Sequence, residues 1–290
     1  MKILIIANPV SGKGATTKRV DILARLLLSK EHDVVIYFTK YSGDAQKYIS
    51  ETKYDFDRLV IAGGDGTINE VINGISSDFA IPIMIVSAGN ANLLSYELQL
   101  PADMDLLVDI LLEGRVVQAD YAVMNDCKFI SVAGAGLDAV VAEKVKNKRK
   151  NKISNFSYLW PILKTIVFSP RNRLSVTVDG EKVGSSSIVI VSNTCNYAGF
   201  LNLAHNAGIT TGCLDIIMLP KTNLFSLLLY TVIIKLFKVT NIKGAKYFNG
   251  FEVQINSDNP IPIQLDGDFI DRYSAINIKV IPKSLPIIIK

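Results

Sequence analysis

The N-terminal part of the chain switches hydrophobic period repeatedly, and that alternation leaves few folds open. "KILIIAN" (2–8) is a short apolar run of strand length, and "ATTKRVDILARLLLS" (15–29) places apolar residues at 20, 22, 23, 26 and 27, a helical stripe. "DVVIYFT" (33–39) returns to strand character, and "SGDAQKYISE" (42–51) opens with cap-like Ser42 and Asp44 before a helix. "RLVIAG" (58–63) is the third strand, and "INEVINGI" (68–75) spaces Ile68, Val71, Ile72 and Ile75 helically. "IPIMIVS" (81–87) is the fourth strand, followed by "NANLLSYEL" and, beyond Pro101, "MDLLVDILLEG". Strands alternating with helices predict an α/β, doubly wound parallel sheet covered on both faces.

After about residue 122 the texture changes. "CKFISVAGAG", "RLSVTVDGEKVGSSSIVIVSNT", "CLDIIMLP", "FEVQINSD", "IPIQLDGD" and "SAINIKVI" are β-rich, with "VDGEK" as a hairpin turn and helical patterns near 137–168 and 222–237. A β-rich antiparallel sandwich is expected there. The expected division is 1–122, completed by 282–290, and 123–281.

Composition narrows the class. A hydrophobic fraction of 49% and mean hydropathy of +0.29 fit a globular chain, and a net charge of +4 is too small for a nucleic-acid signature. Three scattered cysteines, Cys127, Cys195 and Cys213, form neither a disulfide framework nor a zinc spacing, which suits a reducing cytosol. "MKILIIANPV" turns polar too soon for a signal peptide. "KVKNKRKNK" (144–152) holds six Lys or Arg and no acid, either a solvated loop or an attractor of anionic headgroups. "LFSLLLYTVIIKLF" (224–237) is short for a bilayer span; it is read as a core helix, with a membrane-docking helix as the alternative.

The chemistry concentrates in "AGGDGTINEVINGI" (62–75), a glycine-rich corner between strand and helix, where outward backbone N–H groups favour anions. A dinucleotide fingerprint fails, because Asn69 stands where the third glycine is required. "ANPVSGKG" (7–14) approaches a P-loop, but Ala7 replaces its first glycine and Gly14 its Ser or Thr. Asp65 is the informative residue: an acid beside a phosphate loop needs a compensating cation, unless it simply caps the following helix. Glu70 could support the loop from behind. "LDGD" (265–268), taken alone, reads as a tight turn between strands.

Together "NPVSGKG", "GGDGTINEVINGI" and "GNANLLSYELQLP" resemble the diacylglycerol kinase catalytic domain family of lipid kinases, relatives of the sphingosine and ceramide kinases. "SYLWPILKTI" and "LDGD" extend the similarity along the chain; "GGDGT" is shared with NAD kinases, whereas "INEVINGI" is typical of the lipid branch. The resemblance implies two domains with ATP and its Mg2+ in the cleft between them. It implies phosphate contacts from Asn8, Pro9, Val10, Ser11 and Gly12 and from Gly63, Gly64, Asp65, Gly66, Thr67, Ile68 and Asn69. It implies nucleotide contacts from Thr39 and from Asn90, which replaces the family's usual Thr. Asp65, Asp266 and Asp268 are the implied catalytic acids, Asp268 being the base in D-G-D where the family has D-G-E. Thr211 replaces an aspartate of the family's structural magnesium site, so that metal is expected to be lost.

The expected activity is transfer of the γ-phosphoryl group of ATP to a lipid hydroxyl. The expected partners are ATP and a membrane lipid, with no nucleic acid; peripheral contact at the inner membrane face and a homodimer are left open. The alternatives are a nucleotide-binding regulatory protein that has lost catalysis and a soluble-substrate kinase of the NAD kinase kind.

Overall fold

Apolar runs bounded by glycine and polar turns give strands β1 (Lys2–Ala7), β2 (Asp33–Phe38), β3 (Arg58–Gly63) and β4 (Ile83–Ser87) in a computed structural model. It describes residues 1–89, 92–136, 139–140, 142–144, 173–197, 201–220 and 224–290. Between the strands lie α1 (Ala15–Ser29), α2 (Asp44–Glu51) and α3 (Asp65–Gly74); α4 (Leu93–Glu97) and α5 (Met104–Glu113) follow β4. The chain divides into two compact units, Met1–Tyr121 with Ile281–Lys290, and Ala122–Val280.

In the first unit β2, β1, β3 and β4 lie side by side, all parallel, with Ile3 opposite Val34 and Arg58, and Leu59 opposite Ile83. The C-terminal strand adds in parallel at β4 through Ile287 and Ile83. Period-2 alternation sends Ile3, Ile5 and Ala7 into one core layer with Val20, Leu23 and Leu27 of α1 and Leu107, Val108 and Leu111 of α5. Leu4 and Ile6 are buried too, as expected for strands with helices on both faces. The expected cap residues of α2 differ from those observed. Its N-cap is Gly43, without a side-chain cap of its own, and Glu70 of α3 accepts from the N–H groups of Gly43 (2.7 Å) and Ala45 (3.3 Å) instead. Asp44 is turned aside to accept from the Lys40 N–H and the Tyr37 hydroxyl.

The second unit contains β6 (Cys127–Phe129), β7 (Val132–Gly136), β8 (Leu174–Val178), β9 (Glu181–Ser186), β10 (Ile188–Ser192), β11 (Asn196–Tyr197), β12 (Leu201–Asn202), β13 (Leu214–Leu219), β14 (Lys246–Gly250) and β15 (Glu252–Leu265). Strands β5 (Arg115–Met124) and β16 (Asp268–Ile289) carry the chain between the units. The path β14-β13-β10-β7-β15 is antiparallel throughout. Asp179 and Gly180, both at positive φ, form the expected two-residue hairpin between β8 and β9. β10 is apolar from Ile188 to Val191 because it is covered twice. Val189 and Val191 face the sandwich core, and Ile188 and Ile190 face a layer containing Tyr230 and Ile234 of the helix Leu224–Leu236.

α2 and α3 meet at Gly74, where an added Cβ would lie 2.4 Å from both the Gln46 carbonyl oxygen and Ile49 Cγ2. Gly74→Ala should therefore destabilise the chain by about 1–3 kcal/mol, the usual cost of overpacking, in chemical denaturation. An unchanged midpoint would show that the two helices can separate freely.

Candidate functional site

β1, β3 and β4 are neighbours in a parallel sheet, so the loops leaving their carboxyl ends gather on one edge, the position at which such sheets bind ligands. In the first loop the Asn8 side chain does two things: its Oδ1 accepts from the Val10 N–H (3.1 Å), and its Nδ2 donates to Thr67 Oγ1 (3.3 Å) in the second loop. Pro9 and Val10 lead into Ser11, whose N–H donates to the Asn8 carbonyl (3.2 Å). Gly12, Lys13 and Gly14 follow in succession at φ 59°, 58° and 89°. A Cβ on Gly12 would lie 2.3 Å from the Ala88 carbonyl oxygen, so the first loop abuts the third. Non-glycine backbone in this region costs about 1–2 kcal/mol, and such strain clusters at ligand sites. Lys13 is exposed there.

The second and third loops touch through their glycines. A Cβ on Gly89 would lie 2.6 Å from Gly64 Cα, and the Ala88 N–H donates to the Gly63 carbonyl at 2.8 Å. Asp65 neither caps its own helix nor stands alone at the mouth of the loop. The N-cap of α3 is Gly64, and the Asp65 carboxylate accepts from the N–H groups of Asn92 (3.0 Å) and Leu93 (2.8 Å), the start of α4. Asn92, in the left-handed region at φ 51°, clasps Gly89 through both N–H and carbonyl. Thr67 and Ile68 are buried beneath the loop, Gly66 opens the first turn, and Asn69 receives the Asn73 amide (3.0 Å). Thr39, buried at the end of β2, donates its N–H to Ala7. Asn90 lies outside the described residues.

Thus the structure brings together Asn8 to Gly12 and Gly63 to Asn69. The helices that follow the first two loops, α1 and α3, have glycine N-caps and no side-chain cap. Uncapped N-terminal amides with the positive end of the helix dipole suit phosphate oxygens. The fit to a magnesium nucleotide is good on the phosphate side. For the metal, no group of three or more His, Cys, Asp or Glu side chains gathers among the described residues.

Asp266 and Asp268 belong to the second unit. Asp266 and Gly267, at φ 49° and 87°, form the tip of the β15–β16 hairpin, with Leu265 opposite Asp268. The buried Asp266 carboxylate accepts from the N–H groups of Ile130 (3.1 Å), Ser131 (2.8 Å) and Val132 (2.9 Å), which ties the hairpin to β7. Asp268 is exposed beside it. Thr211 Oγ1 lies within hydrogen-bond distance of the carbonyls of Gly208 (2.9 Å) and Cys213 (3.1 Å), which share its one proton. The basic segment lies outside the described residues beyond Lys144.

One polar cluster was not anticipated. Asp215 is fully buried in β13 and accepts from the Tyr247 hydroxyl, the Asn249 amide and the Asn206 N–H. Burial pushes its carboxyl pKa up, against the pull of these hydrogen bonds, and burial likewise raises the Tyr247 phenol. The signal in the sequence was one acid inside the apolar run "CLDIIML".

Because Asp65 holds the start of α4, Asp65→Ala should lower stability by about 1–2 kcal/mol without any nucleotide present, the cost of losing a helix cap. An unchanged denaturation curve would remove Asp65 from that role.

Two family models divide the chain. One, described as the diacylglycerol kinase catalytic domain, matches residues 2–124. The other, the YegS C-terminal NAD kinase beta sandwich-like domain, matches residues 131–289. A diacylglycerol kinase of Staphylococcus carnosus is 28% identical over 273 residues, 91% of this chain and 88% of that protein. One from Staphylococcus aureus strain Newman is 27% identical over 271 residues, 91% and 85% of the two chains. Among solved structures, a diacylglycerol kinase from Bacillus anthracis has a similar fold over 100% of this chain and 97% of that one, with TM-score 0.78 and 22% identity. An NAD kinase from Archaeoglobus fulgidus in complex with ATP is similar over 100% and 93%, with TM-score 0.55 and 14% identity. The order of motifs, the parallel sheet with its glycine-rich loops and the β-rich second unit agree with these matches: the chain belongs to the diacylglycerol kinase catalytic domain family.

Proposed function

We propose that the protein is an ATP-dependent lipid kinase, transferring the γ-phosphoryl group to the hydroxyl of diacylglycerol or a related lipid. The observation that carries this is the meeting of three loops beside two glycine-capped helix N-termini, within a chain of this family. The first unit would take the nucleotide and the second the lipid, with the boundary near residue 122 and the segment 282–290 returning to the nucleotide domain.

Asn8 to Gly12 and Gly63 to Asn69 would hold the phosphates through backbone N–H groups, with Thr39 and Asn90 against the nucleoside. Asp65 acts through the loop it anchors, setting the position of Gly89 and Asn92. Magnesium bound with the nucleotide supplies neutralising charge at the phosphate oxygens. Asp268 accepts the proton of the lipid hydroxyl as its oxygen attacks phosphorus and the bond to the β–γ bridging oxygen breaks, releasing ADP. Asp266 supports it by fixing the hairpin that carries it. Such transfer depends on positioning and charge neutralisation more than on covalent chemistry. The enzyme would work in the cytosol, at the inner face of the membrane that holds its substrate.

A nucleotide-binding regulatory protein without catalysis is the alternative, favoured by the shortened Asp268 and by Asn90. An NAD kinase activity is supported only by a shared fold. Labelled ATP offered with a lipid panel and with NAD distinguishes the three. Lipid labelling is expected, with kcat lowered roughly 10²–10⁴-fold in Asp268→Ala, the usual worth of a general base. Asp268→Glu, which restores the family's residue, should keep activity. Labelling that survives Asp268→Ala unchanged would refute the assignment of the base.

Thr211 is neutral where the family's metal site has an aspartate, and its hydroxyl is engaged with the neighbouring Gly208 and Cys213 carbonyls, so we expect no magnesium there. A manganese soak should give no anomalous density near Thr211, whereas Thr211→Asp should gain it. A well-occupied site in the unaltered protein would contradict this.

A further inference from the structure

The helix Leu224–Leu236 is apolar on both sides, and only one side has a place in the core. Tyr230 and Ile234 are buried, packed with Val132, Ile188, Ile190 and Ile217. On the opposite face Leu229 is 45%, Val232 54% and Leu236 68% exposed, and Phe237 just beyond the helix is 64% exposed. Positions 229, 232 and 236 fall on one stripe of a 3.6-residue helix. A core helix needs no second apolar face. The surrounding charge has one sign: from Ile216 to Phe251 the sequence contains five lysines, Lys221, Lys235, Lys238, Lys243 and Lys246, and no aspartate or glutamate. Lys235, Lys238 and Lys243 are exposed. No helix among the described residues is long and apolar enough to cross a membrane.

We propose that this face is an interfacial docking surface for an anionic lipid bilayer. Leu229, Val232, Leu236 and Phe237 enter the headgroup–acyl boundary while Lys235, Lys238 and Lys243 pair with lipid phosphates. Exposed apolar side chains in a stretch of chain whose charges are all cationic match that surface. A second copy of the chain is disfavoured as occupant, because a two-fold contact sets the same patch against itself and brings like charges together. The inference complements the kinase assignment by naming the surface that brings the enzyme to its substrate, and it does not depend on turnover.

The test uses the full chain with its single tryptophan, Trp160, replaced by Phe and Phe237 replaced by Trp. With mixed phosphatidylglycerol–phosphatidylcholine vesicles lacking diacylglycerol, the emission of the new tryptophan should shift to the blue and be quenched by brominated acyl chains. In vesicle sedimentation, Leu236→Gln with Phe237→Gln should weaken binding about tenfold or more. Lys235→Gln and Lys238→Gln should each weaken it about fivefold. Absence of the shift, equal binding to pure phosphatidylcholine, or unchanged sedimentation of these variants would overturn the proposal. So would a dimer of the parent chain that the double glutamine variant dissolves, which would assign the face to a second copy. Phosphotransfer to a short-chain, water-dispersed diacylglycerol should be unaffected in the lysine variants; if the parent chain lacks that activity, the kinase assignment fails and the vesicle result still stands.

Discussion

The contact of Gly64 with Gly89 sets the geometry on which the rest of the first unit's site depends. Two loops from adjacent parallel strands can approach this closely only without side chains, since a Cβ on Gly89 would reach within 2.6 Å of Gly64 Cα. With the loops that near, one carboxylate can serve both. Asp65, first residue of α3, accepts from the amides that begin α4, and Asn92 closes the third loop around Gly89. Asn8 then joins the first loop to the second through Thr67. Removing the side chains at the junction is what leaves backbone amides as the exposed chemistry. That chemistry suits phosphate.

The second unit uses the same device, a carboxylate satisfied by backbone amides, to hold a hairpin rather than a loop. Asp266 accepts from three consecutive N–H groups, a degree of pairing that makes a buried carboxylate tolerable. Its neighbour Asp268 is thereby placed just after a two-residue turn, at the start of β16, and left exposed. Two acids two positions apart thus have unlike surroundings, one committed to structure and the other available for chemistry. Asp215 is a further buried acid, held by Tyr247, Asn249 and the Asn206 amide.

The alternation of strands and helices was legible in the sequence because periodicity is a local property, and the parallel sheet follows from it. The glycine-rich corner was legible for the same reason: a run of glycines at a strand–helix junction has few other uses. What could not be read was the destination of side chains whose partners are remote. Ser42 and Asp44 have the chemistry of caps, yet Glu70 caps α2, 27 residues from Gly43. Asp65 has the position of a cap for α3 but serves α4, because Gly64 already occupies the N-cap and turns the carboxylate towards the third loop. The helix Leu224–Leu236 is apolar nearly all round, so its period could not tell a buried face from an exposed one. Of the alternatives left by the sequence, core describes the side that carries Tyr230 and Ile234, and membrane surface is what we propose for the exposed side.

The central claim is that nucleotide phosphates are held by the three gathered loops of the first unit. Backbone hydrogen exchange of the whole chain, with and without magnesium ATP, tests it most directly. Slowed exchange is expected in 8–14, 63–69 and 89–93, together and at the same nucleotide concentration. Exchange that is unchanged in all three segments, or slowed only outside them, would contradict the account.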